Sequence, residues 1–341
     1  AAGGGGSGGD DKPLITFPDP GALDGVKGRS KVIFRLSSAQ YTYPGAAEPA
    51  LSGASVILSL GSRVGIVGKN GAGKTTLLRM VVSETEPDAG CGEVWKHHNL
   101  RVAYVAQQSM HHLERNLEQS PKAYIQDRFF LGRDKELGRM ATLALTEEEQ
   151  GMRTARGAIS DVTGRAMKGN MLSYECVKVG RREGDTEWEP LEYLERMHPY
   201  VMKLVKNYDE KMKAMQSGMD IRPLTSVEVL RHLSDFGISR ELAEGKIKRM
   251  SGGQKSRLVL AAAMWTKPHL VALDEPTNYL DNETLAALTS ALRGFKGGVV
   301  TVSHNDGFVE NLAKETWLVA DRTVYCKGEG FAAAGAVAGG G

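Results

Sequence analysis

Short apolar runs alternate with helically spaced apolar positions toward both ends of the chain. Residues 64–67, 270–273 and 298–302 are mostly apolar, whereas apolar positions recur at helical spacing in 77–81 and 283–292. Runs of this kind are typical of strands buried on both faces, because helices cover both sides of a parallel sheet. The pattern therefore predicts an α/β fold with a mostly parallel, doubly covered sheet.

A different pattern fills the middle of the chain. Residues 121–145 and 191–219 have helical spacing, 173–179 alternate like a strand, and 186–191 are the expected hairpin partner. Roughly 140 residues separate Gln107 from Ser251, too many for a loop inside a compact domain, so we predict an inserted β-rich subdomain. The predicted divisions are a linker with an extended lead-in (1–30), a first part of the core (31–110), a helical subdomain (111–154), the insert (155–220), the rest of the core (221–330) and a Gly/Ala-rich tail (331–341).

Composition narrows the class of protein. The net charge is +2, from 43 Lys and Arg against 41 Asp and Glu, so bulk charge does not favour nucleic-acid binding. Three widely separated cysteines predict reduced thiols in a cytoplasmic protein, not a disulfide framework or a metal site. No apolar run approaches the roughly twenty residues of a membrane span. The Gly- and Ala-rich ends predict linkers in a longer polypeptide.

Residues 68–76, with the sequence GKNGAGKTT, match the phosphate-loop pattern between a predicted strand and a predicted helix. Gly68, Gly71 and Gly73 permit a backbone that aims successive N–H groups at a β-phosphate. Lys74 would then span the β- and γ-phosphates, and the Thr75 hydroxyl would hold Mg²⁺. The alternative is a glycine-rich turn with a surface lysine. The flanking strand and helix favour a site for a nucleoside triphosphate and Mg²⁺.

Two tyrosines lie about thirty residues before the loop lysine, where an aromatic ring is able to stack on adenine. We expect Tyr43 rather than Tyr41 to do so. The alternative is that both rings pack on the sheet.

Further polar residues follow predicted strands, where α/β sheets bind their ligands. Asp274 and Glu275 end one apolar run, His304 follows another, and Gln107 has an amide that can reach Mg²⁺ and an attacking water. Ser251 begins a predicted helix and so lies at a potential anion site. Each feature is common by chance, so their order along the chain carries the argument.

That order resembles the nucleotide-binding domain of ATP-binding-cassette proteins, specifically of the ABC-F class. The resemblance implies that Asp274 holds Mg²⁺ through water, that Glu275 orients or deprotonates the attacking water, and that His304 contacts the γ-phosphate. It implies a second cassette, in the same polypeptide or in a dimer, and communication between cassettes through Asp281. The implied site comprises catalytic Glu275, His304 and Gln107, the metal ligands Thr75, Gln107 and Asp274, and the nucleotide contacts Tyr43, Gly68, Asn70, Gly71, Gly73, Lys74, Thr75, Thr76, Ser251, Gly252, Gly253, Gln254 and Asp281.

Segments outside these motifs are similar to the second cassette of fungal-type translation elongation factor 3. They lie at 17–27, 101–112, 121–130 and 222–225, and the similarity extends over residues 13–330. It implies a chromodomain-like insert with Trp188 as its core aromatic, and ATP-driven release of deacylated tRNA from the ribosomal exit site. The implied partner is the ribosome, through its RNA and proteins, with tRNA as a further candidate. No membrane partner is implied. Met250 stands where the family has leucine, and the family's HEAT repeats, four-helix bundle and first cassette have no counterpart in these residues.

Two groups of residues allow competing interpretations. Basic residues of the insert either contact RNA or form an ordinary solvated face. They are Lys168, Lys178, Arg181 and Arg182. Four histidines raise the alternative of metal binding, but neighbours on a strand point to opposite faces, so structural or solvent-exposed roles are expected. They are His97, His98, His111 and His112.

Other functions share some of these motifs. The ATPase subunit of a membrane transporter is one alternative, although the long insert and residues 278–281 (NYLD) favour the ABC-F class. Another ribosome-associated ABC-F ATPase is a second. A module that holds ATP without hydrolysis is disfavoured by the presence of Glu275 and His304. A chromosome-organising ATPase is disfavoured because no sustained heptads occur.

Overall fold

The computed structural model describes residues 13–106, 109–129, 134, 147–180, 186–216 and 222–328. The chain divides into two compact units, one formed by the parts up to Gln126 and from Leu224, the other by Asp127–Pro223. The finer divisions predicted from the sequence stay predictions. The strands are β1 (Val32–Tyr41), β2 (Leu51–Ser59), β3 (Arg63–Val67), β4 (Glu93–Lys96), β5 (Val102–Val105), β6 (Ile159–Lys168), β7 (Met171–Lys178), β8 (Thr186–Pro190), β9 (Leu270–Asp274), β10 (Gly298–Val302), β11 (Glu315–Ala320) and β12 (Thr323–Gly328).

Helical residues lie within each of the segments with predicted helical spacing, 77–81, 121–145, 191–219 and 283–292. Short 3₁₀ turns at Ile247–Arg249 and Pro276–Tyr279 precede two of them. The α-helices are α1 (Lys74–Val81), α2 (Ser109–Glu114), α3 (Pro121–Arg128), α4 (Glu147–Arg153), α5 (Leu191–Leu194), α6 (Pro199–Gln216), α7 (Ser226–Ser234), α8 (Arg240–Glu244), α9 (Gly252–Met264), α10 (Asn282–Gly294) and α11 (Asp306–Leu312).

A six-stranded sheet in the order β12-β11-β3-β10-β9-β5 forms the centre of the first unit. All neighbouring pairs are parallel except β11 with β12. Every residue of β9 and β10 is buried, as expected for strands covered on both faces. Val302 pairs with both Ile66 and Asp274, so the carboxyl ends of β3, β9 and β10 meet at one edge. The predicted parallel α/β fold is confirmed.

A second sheet of the first unit, β2-β1-β4, is antiparallel. Strand β1 continues to Tyr41, well beyond the three residues that the apolar run predicted, because it pairs with β2 along most of its length. The segment before it has no helix or strand from residue 13 onward, yet it is not loosely attached. Ile15 and Leu23 are buried, and the ring of Phe17 packs on those of Phe236 and Phe295.

The second unit contains the antiparallel sheet β6-β7-β8, which confirms the expected hairpin of β7 and β8. Its buried residues include Ile159, Tyr174, Cys176 and Leu194. The expectation that Trp188 is the core aromatic is wrong, because Trp188 is 37% exposed and Tyr174 only 1%. Successive side chains alternate between the faces of a sheet, and Trp188 pairs with the residue that follows Tyr174. The chromodomain-like character of the insert stays a prediction.

Candidate functional site

The phosphate loop joins the buried strand β3 to helix α1. Gly68 has φ 151°, and a Cβ built on it overlaps the carbonyl oxygen of Val319, so this position requires glycine. Gly73 caps α1 with φ 104°. Since the first turn of α1 contains no acidic residue, its free N–H groups and helix dipole leave a site suited to an anion.

The lysine of the loop is folded back over the backbone. The Lys74 ammonium donates hydrogen bonds to the carbonyl oxygens of Gly68 (2.9 Å) and Lys69 (3.0 Å), and the residue is only 8% exposed. The loop thus holds a nearly buried cation whose partners are backbone carbonyls, which a phosphate oxygen is able to replace.

A buried carboxylate ends the neighbouring strand β9. Asp274 is 2% exposed, and its Oδ2 has no hydrogen-bond partner among the described residues. Burial raises the pKa of Asp274, a hydrogen bond from Thr75 lowers it, and the charge of Glu275 raises it again. The net rise shows that the charged carboxylate is incompletely compensated. A carboxylate oxygen beside a threonine hydroxyl is a donor set that fits Mg²⁺.

Glu275 and His304 lie together beyond the strand ends. Glu275 adopts a left-handed backbone (φ 51°), its N–H donates to the Val302 carbonyl at 2.9 Å, and its side chain is buried. The His304 N–H donates to Glu275 Oε2, while His304 Nε2 lies 3.3 Å from Oε1. Oε1 has no well-directed hydrogen bond, so this second contact is ionic at most. The hydrogen bond to Val302 and the contacts with His304 hold the carboxylate at the sheet edge in spite of the strained backbone.

The segment 251–254 forms the start of α9. The Ser251 hydroxyl accepts from the Gln254 N–H, and the Gln254 side chain accepts from the Ser251 N–H, a capping box. Asp281 caps α10 by accepting from the Thr284 N–H at 2.7 Å. A Cβ built on Gly253 overlaps the other oxygen of Asp281, so the two helix starts are fitted together. Both capping roles are structural whether or not these residues contact nucleotide.

Tyr43 stands beside the phosphate loop. Its hydroxyl lies 2.7 Å from Thr76 Oγ1, its ring meets Tyr41 edge-on at 5.0 Å, and the residue is 42% exposed. The exposed ring is compatible with stacking on a base.

Several predicted site residues are not placed at the site by the structure. Gln107, Arg181 and Arg182 lie outside the described residues. Asn70 is exposed in the loop. Lys178 is paired with Glu187 (2.5 Å) and Glu189 (2.6 Å), which raise its pKa, and Lys168 lies over the ring of Trp188. Lys178 is therefore an ion-paired residue, not a free contact for RNA.

The histidines contact one another or nearby side chains. The rings of His97 and His98 stack at 4.5 Å, and His111 lies 3.0 Å from a Glu114 oxygen. Within the described part of the chain, no group of three or more His, Cys, Asp or Glu side chains has the arrangement of a metal site.

Sequence reasoning missed Thr277 as part of the site. Its hydroxyl lies 3.4 Å from that of Ser303, and Ser303 accepts the Asn305 N–H, so the segments that carry Glu275 and His304 are joined. No local motif predicts this contact, because the two residues are brought together by the parallel pairing of β9 and β10.

Taken with the fold, the loop between β3 and α1 and the buried carboxylates that end β9 define a P-loop nucleotide-binding domain. A family model described as ABC transporter matches residues 51–278, about two thirds of the chain, and the chain therefore belongs to this family. It is an ATP-binding and ATP-hydrolysing cassette. None of the helices within the described ranges has the length and apolar character of a membrane span.

Comparison with known proteins confirms the resemblance to elongation factor 3. A protein of that name from Mycosarcoma maydis is 39% identical over 322 residues, 92% of this chain and 30% of the relative. A protein named mRNA export factor elf1 from Schizosaccharomyces pombe is 38% identical over 323 residues, again 92% and 30%. The chain thus spans about 30% of the length of these relatives. A nucleotide-free ATP-binding cassette from an ABC transporter has a TM-score of 0.50 at 15% identity, covering 88% of this chain and 92% of that one, which shows the fold alone.

Proposed function

We propose that the chain is the ATP-binding and ATP-hydrolysing cassette of an elongation factor 3-like ABC-F factor that acts on the ribosome in the cytoplasm. The observation that supports the chemistry best is the buried, unpartnered Asp274 Oδ2 beside Thr75 and the phosphate loop. A protein tolerates such an uncompensated carboxylate where a ligand supplies the missing partner. The proposed ligand is ATP with Mg²⁺.

The phosphates of ATP and the bound Mg²⁺ have separate proposed contacts. The N–H groups of the loop and of the first turn of α1 bind the β-phosphate, and Lys74 exchanges its two carbonyl partners for phosphate oxygens. Thr75 and Asp274 would hold Mg²⁺, and the sequence pattern makes Gln107 a further candidate ligand. When bound, Mg²⁺ neutralises charge on the phosphates.

Hydrolysis requires a positioned water next to the γ-phosphate. Glu275 is the proposed group that orients this water or takes its proton, and His304 contacts the γ-phosphate. The contact of His304 with both oxygens of Glu275 keeps the carboxylate aimed while it accepts a proton. The left-handed backbone at Glu275 supports this role, because strained conformations concentrate at functional sites.

The start of α9 is proposed to complete a second nucleotide site. Ser251, Gly252, Gly253 and Gln254 would close on ATP held by another cassette, in the same polypeptide or in a second copy, with Asp281 between the two sites. Closure is favoured by γ-phosphate contacts that exist only in the closed state, and hydrolysis reverses it. The cassette therefore converts ATP binding and hydrolysis into closing and opening.

The action on the ribosome is inferred from relatives named elongation factor 3 and from the resemblance in the sequence. The proposed result is release of deacylated tRNA from the exit site during elongation. A relative named mRNA export factor has nearly the same identity, which makes ribosome-free messenger RNA the informative alternative partner. Membrane association, the transporter alternative, would appear as co-fractionation with vesicles.

The experiment combines turnover with sedimentation. Glu275→Gln should keep ATP binding and slow hydrolysis by about 10²–10⁴-fold, roughly 3–5 kcal/mol of barrier, whereas the exposed control Glu310→Gln should hydrolyse normally. In ATP, the Glu275→Gln variant should sediment with purified ribosomes, and in ADP it should not. Unchanged turnover would remove Glu275 from the mechanism. Sedimentation with ribosome-free messenger RNA but not with ribosomes would overturn the ribosomal assignment.

A further inference from the structure

The loop that carries Tyr43 is fixed from one side by a carboxylate that the nucleotide chemistry does not use. Asp88 Oδ1 accepts the Thr42 N–H at 3.0 Å, and Oδ2 accepts the Thr42 hydroxyl at 2.8 Å and the Gln40 amide at 3.3 Å. The Asp88 N–H donates in turn to the Gln40 carbonyl at 2.8 Å. These bonds lower the pKa of Asp88, so it is ionised at neutral pH and fully able to accept them.

The same loop is fixed from the other side by the phosphate-loop helix. The Tyr43 hydroxyl is hydrogen-bonded to Thr76 Oγ1, and Tyr41 packs edge-on against the Tyr43 ring. Thr76 lies in the first turn of α1, directly after the residues proposed to bind phosphate and Mg²⁺. The ring is therefore held at its hydroxyl end and at the preceding residue, while 42% of Tyr43 remains exposed.

We propose that Asp88 is a positioning residue for the base of the bound nucleotide, acting through Thr42 to hold the Tyr43 ring where adenine stacks. The proposal rests on the proposed function, since it assigns Tyr43 to the base. Asp88 touches no nucleotide itself. Because Thr42 directly precedes Tyr43, fixing both the N–H and the hydroxyl of Thr42 limits the backbone freedom of the tyrosine. Holding the ring in place before binding spares the ordering entropy that a loose loop would lose on binding.

The proposal predicts a defect that depends on the base of the ligand. The equilibrium Kd of the full chain is measured for ATP and for inorganic tripolyphosphate, both with Mg²⁺. Asp88→Ala should raise the Kd for ATP by about three- to tenfold, as expected for losing hydrogen bonds to a charged group. It should change the Kd for tripolyphosphate by less than about twofold, since that ligand has no base to stack. A collapsed phosphate loop would weaken the binding of both ligands, so tripolyphosphate binding also reports that the variant is folded.

Matched variants separate positioning from general support. Asp88→Asn keeps an oxygen for the Thr42 N–H and should restore part of the ATP affinity. Asp19→Ala removes another carboxylate that accepts a backbone N–H, from Gly21 at 2.9 Å, and should leave both Kd values unchanged. Tyr43→Ala should raise the Kd for ATP by at least about fivefold. Adding Asp88→Ala to that variant should cause no further loss.

Three results would overturn the proposal. Equal weakening of both ligands by Asp88→Ala would make Asp88 a general support of the loop. No change in ATP affinity, or an undiminished Asp88→Ala effect in the Tyr43→Ala background, would show that Asp88 does not act through the ring. If the unaltered chain bound neither ligand, the proposed function itself would fail, a result distinct from failure of Asp88 alone.

Discussion

Gly253→Ala tests how closely the two helix starts of the proposed second nucleotide site are fitted together. Gly253 is the second residue of α9, and a Cβ there overlaps an oxygen of Asp281, the residue that caps α10. A Cβ on Gly252, the first residue of the same helix, meets nothing within 4 Å. The two neighbouring glycines therefore form a matched pair that differs in the obstruction by Asp281.

The expected magnitudes follow from that difference. Replacing a helical glycine by alanine in open space stabilises a protein by about 0.5–1 kcal/mol, and we expect this gain for Gly252→Ala. Forcing a methyl group into an occupied position costs about 1–3 kcal/mol, so Gly253→Ala should lower the free energy of unfolding by about 1–2 kcal/mol. Asp281→Ser keeps an oxygen to cap α10 but removes the obstructing one. In that background Gly253→Ala should be neutral or stabilising.

The assay is urea unfolding without nucleotide, followed by tryptophan fluorescence. The buried Trp265 and Trp317 report on the first unit, and Trp188→Phe removes the tryptophan of the second unit from the signal. Because ATP is absent, the measurement isolates the contact within one chain from any contact with nucleotide on another cassette. Equal effects of the two glycine variants, or an unchanged cost of Gly253→Ala beside Asp281→Ser, would refute the reasoning.

Three further predictions concern charge and packing. Asp274→Asn should raise the free energy of unfolding at neutral pH, because burial raises the pKa of the Asp274 carboxylate and its charged form is therefore costly in the folded state. The gain should shrink as the pH falls and wild-type Asp274 becomes protonated, and Mg²⁺-dependent ATP binding should be lost at neutral pH. Lys178→Ala should cost up to about 1 kcal/mol of stability and leave ribosome sedimentation unchanged, since its ammonium is occupied by two carboxylates. Tyr174→Ala should destabilise the second unit by about 3–5 kcal/mol and Trp188→Ala by about 1 kcal/mol, because only Tyr174 is fully buried. Urea unfolding followed by circular dichroism measures both costs, and equal costs would contradict the assignment of Tyr174 to the core.

The elements with strong periodicity could be predicted from the sequence, and so could the edge at which the site lies. The apolar runs at β9 and β10 alternate with helical segments, which is typical of a parallel sheet covered on both faces, and the carboxyl ends of such strands lie at one edge. The phosphate loop was equally local, because its glycines, lysine and flanking elements are contiguous.

Contacts that depend on register or on distant segments could not be predicted. The family resemblance implied that Trp188 is the core aromatic of the insert, but its pairing with Glu175 puts it on the face of the sheet opposite Tyr174. Asp88 lies 46 residues from Thr42, in a turn whose sequence shows only that a turn is present. Such pairs become visible only when the packing of the sheets is known.

The proposed nucleotide contacts divide between two sheets, and this division predicts different kinetic effects. Of the groups for the phosphates and the water, Asp274 and Glu275 lie at the end of β9, and Lys74 begins the helix after the loop that follows β3. The group for the base, Tyr43, follows an antiparallel strand and is held by Asp88 and Thr76. Bonds to the base are the same in the ground state and the transition state, whereas charge develops only at the phosphates. Changes at Tyr43 or Asp88 should therefore raise KM with little effect on kcat, and changes at Glu275 should lower kcat; a large kcat loss in Asp88→Ala would mean that base and phosphate sites are not separable.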